Sequence, residues 1–305
     1  MSIISNKKTL SLFIGISFIV IALLATFIYL KVNTGSEHET EIDYPIVNVF
    51  KYGFSVKNPT NEVIDSINIF AYAPFKQNAT QILKRLDFSP SDGKIKNDIS
   101  GQLLHFEIAK LAPYETKIIK IKAEMAFSAQ PHKLPSENVE SYLGEEHLIE
   151  TQNSEIVARA KRLKKDTELA TIQSIYDFVK NHIDYTGYIE ADLGATYALS
   201  TKRGDCTEFA SLIVALARVN QIPARSVSGF MYASSGVLKP SEYHSWAEVF
   251  IDGTWQLVDA QRHNFMSNQE KYLALRVQSD RSDTLRERSM QLAYSDDGVI
   301  LTMND

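Results

Sequence analysis

Between Tyr243 and Asp259 the chain reads Tyr-His-Ser-Trp-Ala-Glu-Val-Phe-Ile, then Asp-Gly, then Thr-Trp-Gln-Leu-Val-Asp. An Asp-Gly pair between two alternating runs is among the strongest short-range signals for a β-hairpin. With Asp252 and Gly253 as the loop, Ile251 pairs with Thr254, Phe250 with Trp255 and Trp246 with Asp259. His244 lies two residues beyond Trp246 on the same face, so His244 and Asp259 become diagonal neighbours within side-chain reach. A slip of one residue puts them on opposite faces. The hairpin therefore predicts an imidazole beside a carboxylate that can orient it.

The only cysteine of the chain, Cys206, precedes this hairpin in Arg203-Gly204-Asp205-Cys206-Thr207-Glu208-Phe209-Ala210. From Cys206 onward, Phe209, Ala210, Ile213, Leu216 and Ala217 recur at the period of an amphipathic helix with one buried face. Asp205 stands where an N-capping carboxylate belongs, and Pro223 stops the helix near Asn220. A thiol in that first turn sits at the positive end of the helix dipole, which favours its thiolate. A lone cysteine is also commonly a small buried hydrophobe, and a sheet histidine is commonly a packing residue. Jointly, Cys206, His244 and Asp259 point to a thiol nucleophile, its base and the group that holds the base. The Cys206 N–H at the helix start is a candidate oxyanion donor.

Thr9 to Leu30 is an uncharged apolar run long enough to span a bilayer as a helix. Lys7 and Lys8 before it, against Glu37, Glu39 and Glu41 after it, predict a cytoplasmic N-terminus with the rest periplasmic or extracellular. No small-x-small cleavage site follows Leu30, so an uncleaved single-pass anchor is expected. With a single cysteine, no intrachain disulfide can form in that oxidising compartment. The net charge of -5, with no Lys/Arg block, gives no support for nucleic-acid binding.

The organisation expected is 1–31 cytoplasmic tip and transmembrane anchor, 32–43 tether, 44–126 β-sandwich-like domain, 127–153 linker and 154–305 catalytic domain. Alternating segments at 47–56, 64–70, 103–108 and 118–123, parted by turn signals, read as short strands. The β-domain carries no cluster of chemistry and reads as a spacer or a partner-docking surface. Helices are expected over 154–165 and from Thr167, with Leu169, Ile172, Ile175, Tyr176, Val179 and Ile183 on one face. Arg225 to Tyr232 reads as a strand, and Ala233 to Ser241 as a mobile loop able to act as a lid before His244.

Gly204 to Ala210, then Gln221-Ile222-Pro223-Ala224-Arg225-Ser226-Val227-Ser228-Gly229, then His244 to Val249 and Gly253 to Asp259, resemble the transglutaminase-like superfamily. Ile183-Asp184-Tyr185 and Gly194 to Leu199 resemble its bacterial members' approach to the cysteine. The likeness covers about 155–265. It implies an α+β, papain-like transglutaminase core, a Cys206, His244, Asp259 triad, and a thioester acyl-enzyme formed from protein or peptide amides. By the same resemblance Tyr185 is a candidate hydroxyl near the thiol. Water as acceptor gives a peptidase or amidase, the expectation for a membrane-tethered domain. An amine gives cross-linking, and a non-catalytic binding or assembly module is the remaining alternative. Trp246 and Tyr243 are candidate groove residues, although hairpin aromatics more often serve the core. Glu208 and Arg225 are candidates for a structural ion pair. No zinc ligand spacing and no EF-hand loop is present, so no metal or other cofactor is expected.

Overall fold

The computed structural model describes residues 42–98, 100–134, 138–279, 293–295 and 297–304. The apolar run at 9–30, with its expected anchor, lies outside them. Among the described residues no helix is long and apolar enough to cross a membrane.

The first half of the fold is built from β1 (Ile46–Lys57), β2 (Ile64–Ala73), β3 (Gln81–Ser89), β4 (Lys94–Asp98), β5 (Gly101–Leu111) and β6 (Thr116–Phe127). Their alternation has a direct result: Phe50, Tyr52, Phe54 and Val56 of β1 face a core that Ile67, Ile69, Leu104, Phe106, Ile119 and Ile121 complete. β3 and β4 were not anticipated. Their residues are mostly half-exposed or exposed, so they lack a clean apolar period.

Helices follow as α1 (Ser154–Leu163) and α2 (Glu168–His182), each started by a side chain that satisfies otherwise orphaned N–H groups. Asn153 accepts from Glu155 N at 2.9 Å, and Thr167 accepts from Ala170 N at 3.2 Å. Then come β7 (Asp184–Tyr185), α3 (Gly194–Thr201), β8 (Arg203–Gly204) and α4 (Cys206–Val219). α4 departs from expectation, for every residue from Thr207 to Arg218 is buried, not one stripe alone. The other helices pack over the side opposite the sheet, which makes α4 the axis of the second core. Arg218 is tolerated there because its guanidinium donates to Ala224 O at 2.8 Å and Gly144 O at 2.6 Å, and pairs with Glu146 at 3.2 Å.

The remaining strands are β9 (Ala224–Met231), β10 (Gly236–Val237), β11 (Tyr243–Ile251), β12 (Thr254–Asp259), β13 (Asn264–Phe265), β14 (Tyr272–Gln278), β15 (Ala293–Tyr294) and β16 (Ile300–Met303). The β11–β12 hairpin has the expected register, with Ile251 opposite Thr254 and Phe250 opposite Trp255. Asp252 and Gly253 take φ of 53° and 82°, the left-handed values that a two-residue hairpin loop requires.

Strands from both halves share the sheets. A nine-stranded sheet runs β13-β12-β11-β9-β14-β5-β2-β15, with β4 also on β5, and a five-stranded one runs β10-β1-β6-β3, with β16 also on β1. The buried Gln81 fastens the join: its side-chain amide donates to Ala274 O at 2.9 Å and accepts from Ala274 N at 2.8 Å. Phe230, Tyr232, Leu238 and Leu273 enter the same core as β1 and β6. Residues 43–305 accordingly form one compact unit. β10, β15 and β16 are too short to carry a period in the sequence.

Gly229 shows how tightly the sheet is drawn together beside His244, its partner across β9 and β11. A Cβ at Gly229 would stand 1.9 Å from the Leu273 carbonyl oxygen, which is backbone and cannot turn aside. Gly229→Ala is expected to lower the unfolding free energy by about 3 kcal/mol. Urea denaturation checks this, and a loss below about 1 kcal/mol would show that β14 can give way.

Candidate active site

Asp205 and Glu208 hold Cys206 at the start of α4 through a reciprocal cap. The Asp205 carboxylate accepts from Thr207 N at 2.8 Å, and Glu208 accepts from Asp205 N at 2.9 Å. The second oxygens of both carboxylates reach out of the helix. Asp205 accepts from Ile189 N and Glu208 from Leu193 N, each at 2.9 Å, so the 186–193 loop is fastened over the first turn of α4. Burial pushes the Glu208 carboxyl up to about 7, against the two backbone N–H bonds that favour its charge. Gly204 is required here, since a Cβ on it would lie 2.4 Å from the Cβ of Glu208. The Cys206 N–H stands at the first position of the helix, where no intrahelical acceptor exists.

His244 and Asp259 meet as the register predicts, Nε2 to Oδ2 at 2.7 Å, with both side chains almost fully buried. Cys206 also acts on the imidazole, favouring its protonated form. Burial works against charge on His244, but the hydrogen bonds to Asp259 and Cys206 and their negative charge outweigh it and push the group up to about 9. Asp259 is itself held: Arg262 N–H donates to Oδ1 at 3.0 Å and the Tyr272 hydroxyl donates to Oδ2 at 2.9 Å. Burial and the Asp259 charge raise the Tyr272 pKa, which keeps the phenol a donor. Tyr272 escaped the sequence reading because β14 was not recognised, although residues 272–277 are uniformly apolar apart from Arg276.

Cys206 opens onto a cavity of about 640 Å³ that Tyr185, Tyr188 and Tyr243 also line. Tyr185 is brought there by β7, whose pairing sets Tyr185 opposite Gly204. Trp246 does not reach the cavity. It is 1 % exposed, and its ring lies 6.3 Å from the His244 ring and 5.1 Å from that of Tyr272. It is a packing platform beside the imidazole, buried in a cluster with Tyr142, Trp255, Leu257 and Tyr272. Nor do Glu208 and Arg225 pair. Arg225 binds Glu248 across β9–β11 at 2.8 Å and stacks over Trp255, while Glu208 is committed to the helix cap. The 233–241 segment is no free lid either: Gly236 and Val237 pair with Phe50 and Lys51 of β1, and Leu238 is buried.

The arrangement brings together the groups that acyl transfer through a thiol requires: a thiol at a helix N-terminus, an imidazole whose pKa that thiol helps to raise, and a carboxylate hydrogen-bonded to the imidazole. Residues 157–260 match the model of the transglutaminase-like superfamily, a span that takes in all three groups. No curated protein matches the chain. Among solved structures, a candidate cysteine protease from Cytophaga hutchinsonii is similar at a TM-score of 0.61 and 16% identity, covering 85% of this chain and 89% of its own. That likeness shows a common fold across nearly the whole of both chains. The periplasmic domain of TgpA from Pseudomonas aeruginosa matches at a TM-score of 0.36 and 15% identity over 68% of this chain and 89% of its own, too distant to add to the argument.

Proposed function

We propose, from the transglutaminase-like core at residues 157–260, that this chain is a thiol hydrolase of protein or peptide amides. It works outside the cytoplasm, in the periplasm or at the cell surface, held to the membrane by the apolar run at 9–30. The observation that carries the reading is the chain of contacts from Cys206 through His244 to Asp259 at the mouth of an open cavity. Cys206 Sγ attacks the amide carbon, and the Cys206 N–H receives the oxyanion that forms. The intermediate collapses as His244 gives its proton to the departing amine, leaving a thioester on Cys206. Water, deprotonated by His244, then attacks the thioester, and the acid leaves with Cys206 restored.

Incubating the chain and its Cys206→Ala form with a peptide library, with and without an added primary amine, tests this by mass. New carboxyl termini or deamidated glutamines, absent with Cys206→Ala, are expected, and an added amine should leave the products unchanged. Amine adducts as the main product would shift the assignment to cross-linking. No product in any arm would remove the enzymatic reading.

The acid His244 must carry sets the alkaline limit. Its pKa is raised from 6.5 to about 9, so the imidazolium is retained through neutral pH and lost as pH rises through about 9. kcat/KM is expected to fall over that window. The contribution of the pair to stability follows the same sign: full below about 6.5 and lost through about 9. A decline centred near pH 7 would mean that the thiol and Asp259 do not hold the proton.

A further inference from the structure

The cavity at Cys206 is only half made by the elements that carry the triad. The rest of its lining includes Phe54 from β1 and Leu301 and Met303 from β16. β16 runs antiparallel to β1, with Met303 opposite Phe54 and Leu301 opposite Val56. Leu301 and Met303 therefore lie on the face that carries Phe54 and Val56, and they pack against the same core. They give an apolar stretch to the lining of the cavity that Cys206, Tyr185 and Tyr188 also line.

The backbone of β16 adds a second observation. Asn304 N–H donates to Gly53 O at 2.9 Å, which fixes the alternation of the ladder. Thr302 and Ile300 then turn their N–H and C=O toward β1, and those of Leu301 and Met303 point to the other edge. Among the described residues β16 pairs on one side alone, so no described strand lies on that edge. An edge of this kind is a template for an extended chain, with backbone bonds giving affinity and side-chain pockets giving selection.

We infer that the acyl donor is an extended polypeptide that lies along β16 and places a bulky apolar side chain against Leu301, Met303 and Phe54, beside the amide that Cys206 attacks. The inference rests on the thiol-enzyme reading and deepens it. It gives the sandwich a part in choosing the substrate, and it separates a polypeptide from a small amide, which would make no use of the strand edge.

The test uses the full chain and four capped tripeptidyl chloromethyl ketones, one with alanine throughout and three with phenylalanine at a single position. Rates of Cys206 alkylation are divided by the same protein's rate with iodoacetamide, which needs no groove. One phenylalanine position is expected to react about tenfold faster than the all-alanine reagent, the effect of burying an apolar side chain of this size. Leu301→Ala and, separately, Met303→Ala should each reduce that preference several-fold. Equal rates for all four reagents would overturn the inference while leaving the nucleophile established. A preference that survives both substitutions would place the selecting wall elsewhere and overturn it too. If Cys206 ignores iodoacetamide and peptides alike in the folded chain, the thiol reading fails and the inference falls with it.

Discussion

His244→Ala is expected to lower kcat/KM by about 10⁴-fold or more, in line with the loss of a base that acts as a unit with its nucleophile. The same change should slow alkylation of Cys206 by iodoacetamide at about pH 6, since the thiolate is the form that reacts. The reason lies in the balance at His244. The imidazole is 2 % exposed, which by itself would expel a proton, yet its contacts to Asp259 and Cys206 hold that proton to about 9. Raised to about 9, the His244 pKa keeps the imidazole protonated through the neutral range, so that it forms an ion pair with Cys206 when the thiol ionises. With alanine there, Asp259 still has the Arg262 N–H and the Tyr272 hydroxyl, so the fold is expected to survive. Intact mass after timed labelling reads the result. Equal labelling of the two proteins at that pH would falsify the ion pair.

Asp259→Asn keeps the size of the side chain and is expected to cost about 10³- to 10⁴-fold in kcat. Asp259 accepts three hydrogen bonds, from His244 and Tyr272 on Oδ2 and from Arg262 N–H on Oδ1. An amide cannot repeat that pattern. With its NH₂ toward His244, the imidazole must accept there and carry its proton on the nitrogen that faces Cys206, the wrong tautomer for a base. With its oxygen toward His244, the NH₂ confronts the Arg262 N–H, two donors with nothing to receive them. Either way a buried group loses its partner, at about 1–3 kcal/mol of stability. Losing the Asp259 charge also removes one of the causes that hold the His244 proton, so any residual activity should fall away at lower pH than in the parent. Thermal unfolding together with the pH–rate profile separates the two effects. A variant with normal kcat would show that Asp259 only packs.

Local signals carried most of what concerns the triad. The Asp252-Gly253 turn fixes the register through a backbone conformation that few residues accept, and the period of two does the rest, so His244 and Asp259 could be paired without coordinates. The Asp205 cap and the apolar period from Phe209 placed Cys206 at a helix start for the same reason. These are relations between residues close in the chain, and steric preference alone decides them.

What the chain order could not give is whatever depends on partners far away. Trp246 is an aromatic of the kind that lines grooves, yet Tyr142, Trp255 and Tyr272 bury it. Arg225 was expected to pair with Glu208, but the β9–β11 register gave it Glu248. Tyr272 holds Asp259 because β14 is laid against β9, and Leu301 and Met303 reach the cavity because β16 closes an edge of β1 some 250 residues earlier in the chain. Strands of two to four residues have no period of their own. Their positions are set by which sheet edge is left unpaired and which core face is left uncovered, and those exist only once the chain has folded. The sequence by itself thus determined that Cys206 starts a helix and that His244 and Asp259 meet on one hairpin face, while tertiary structure alone decided what surrounds them.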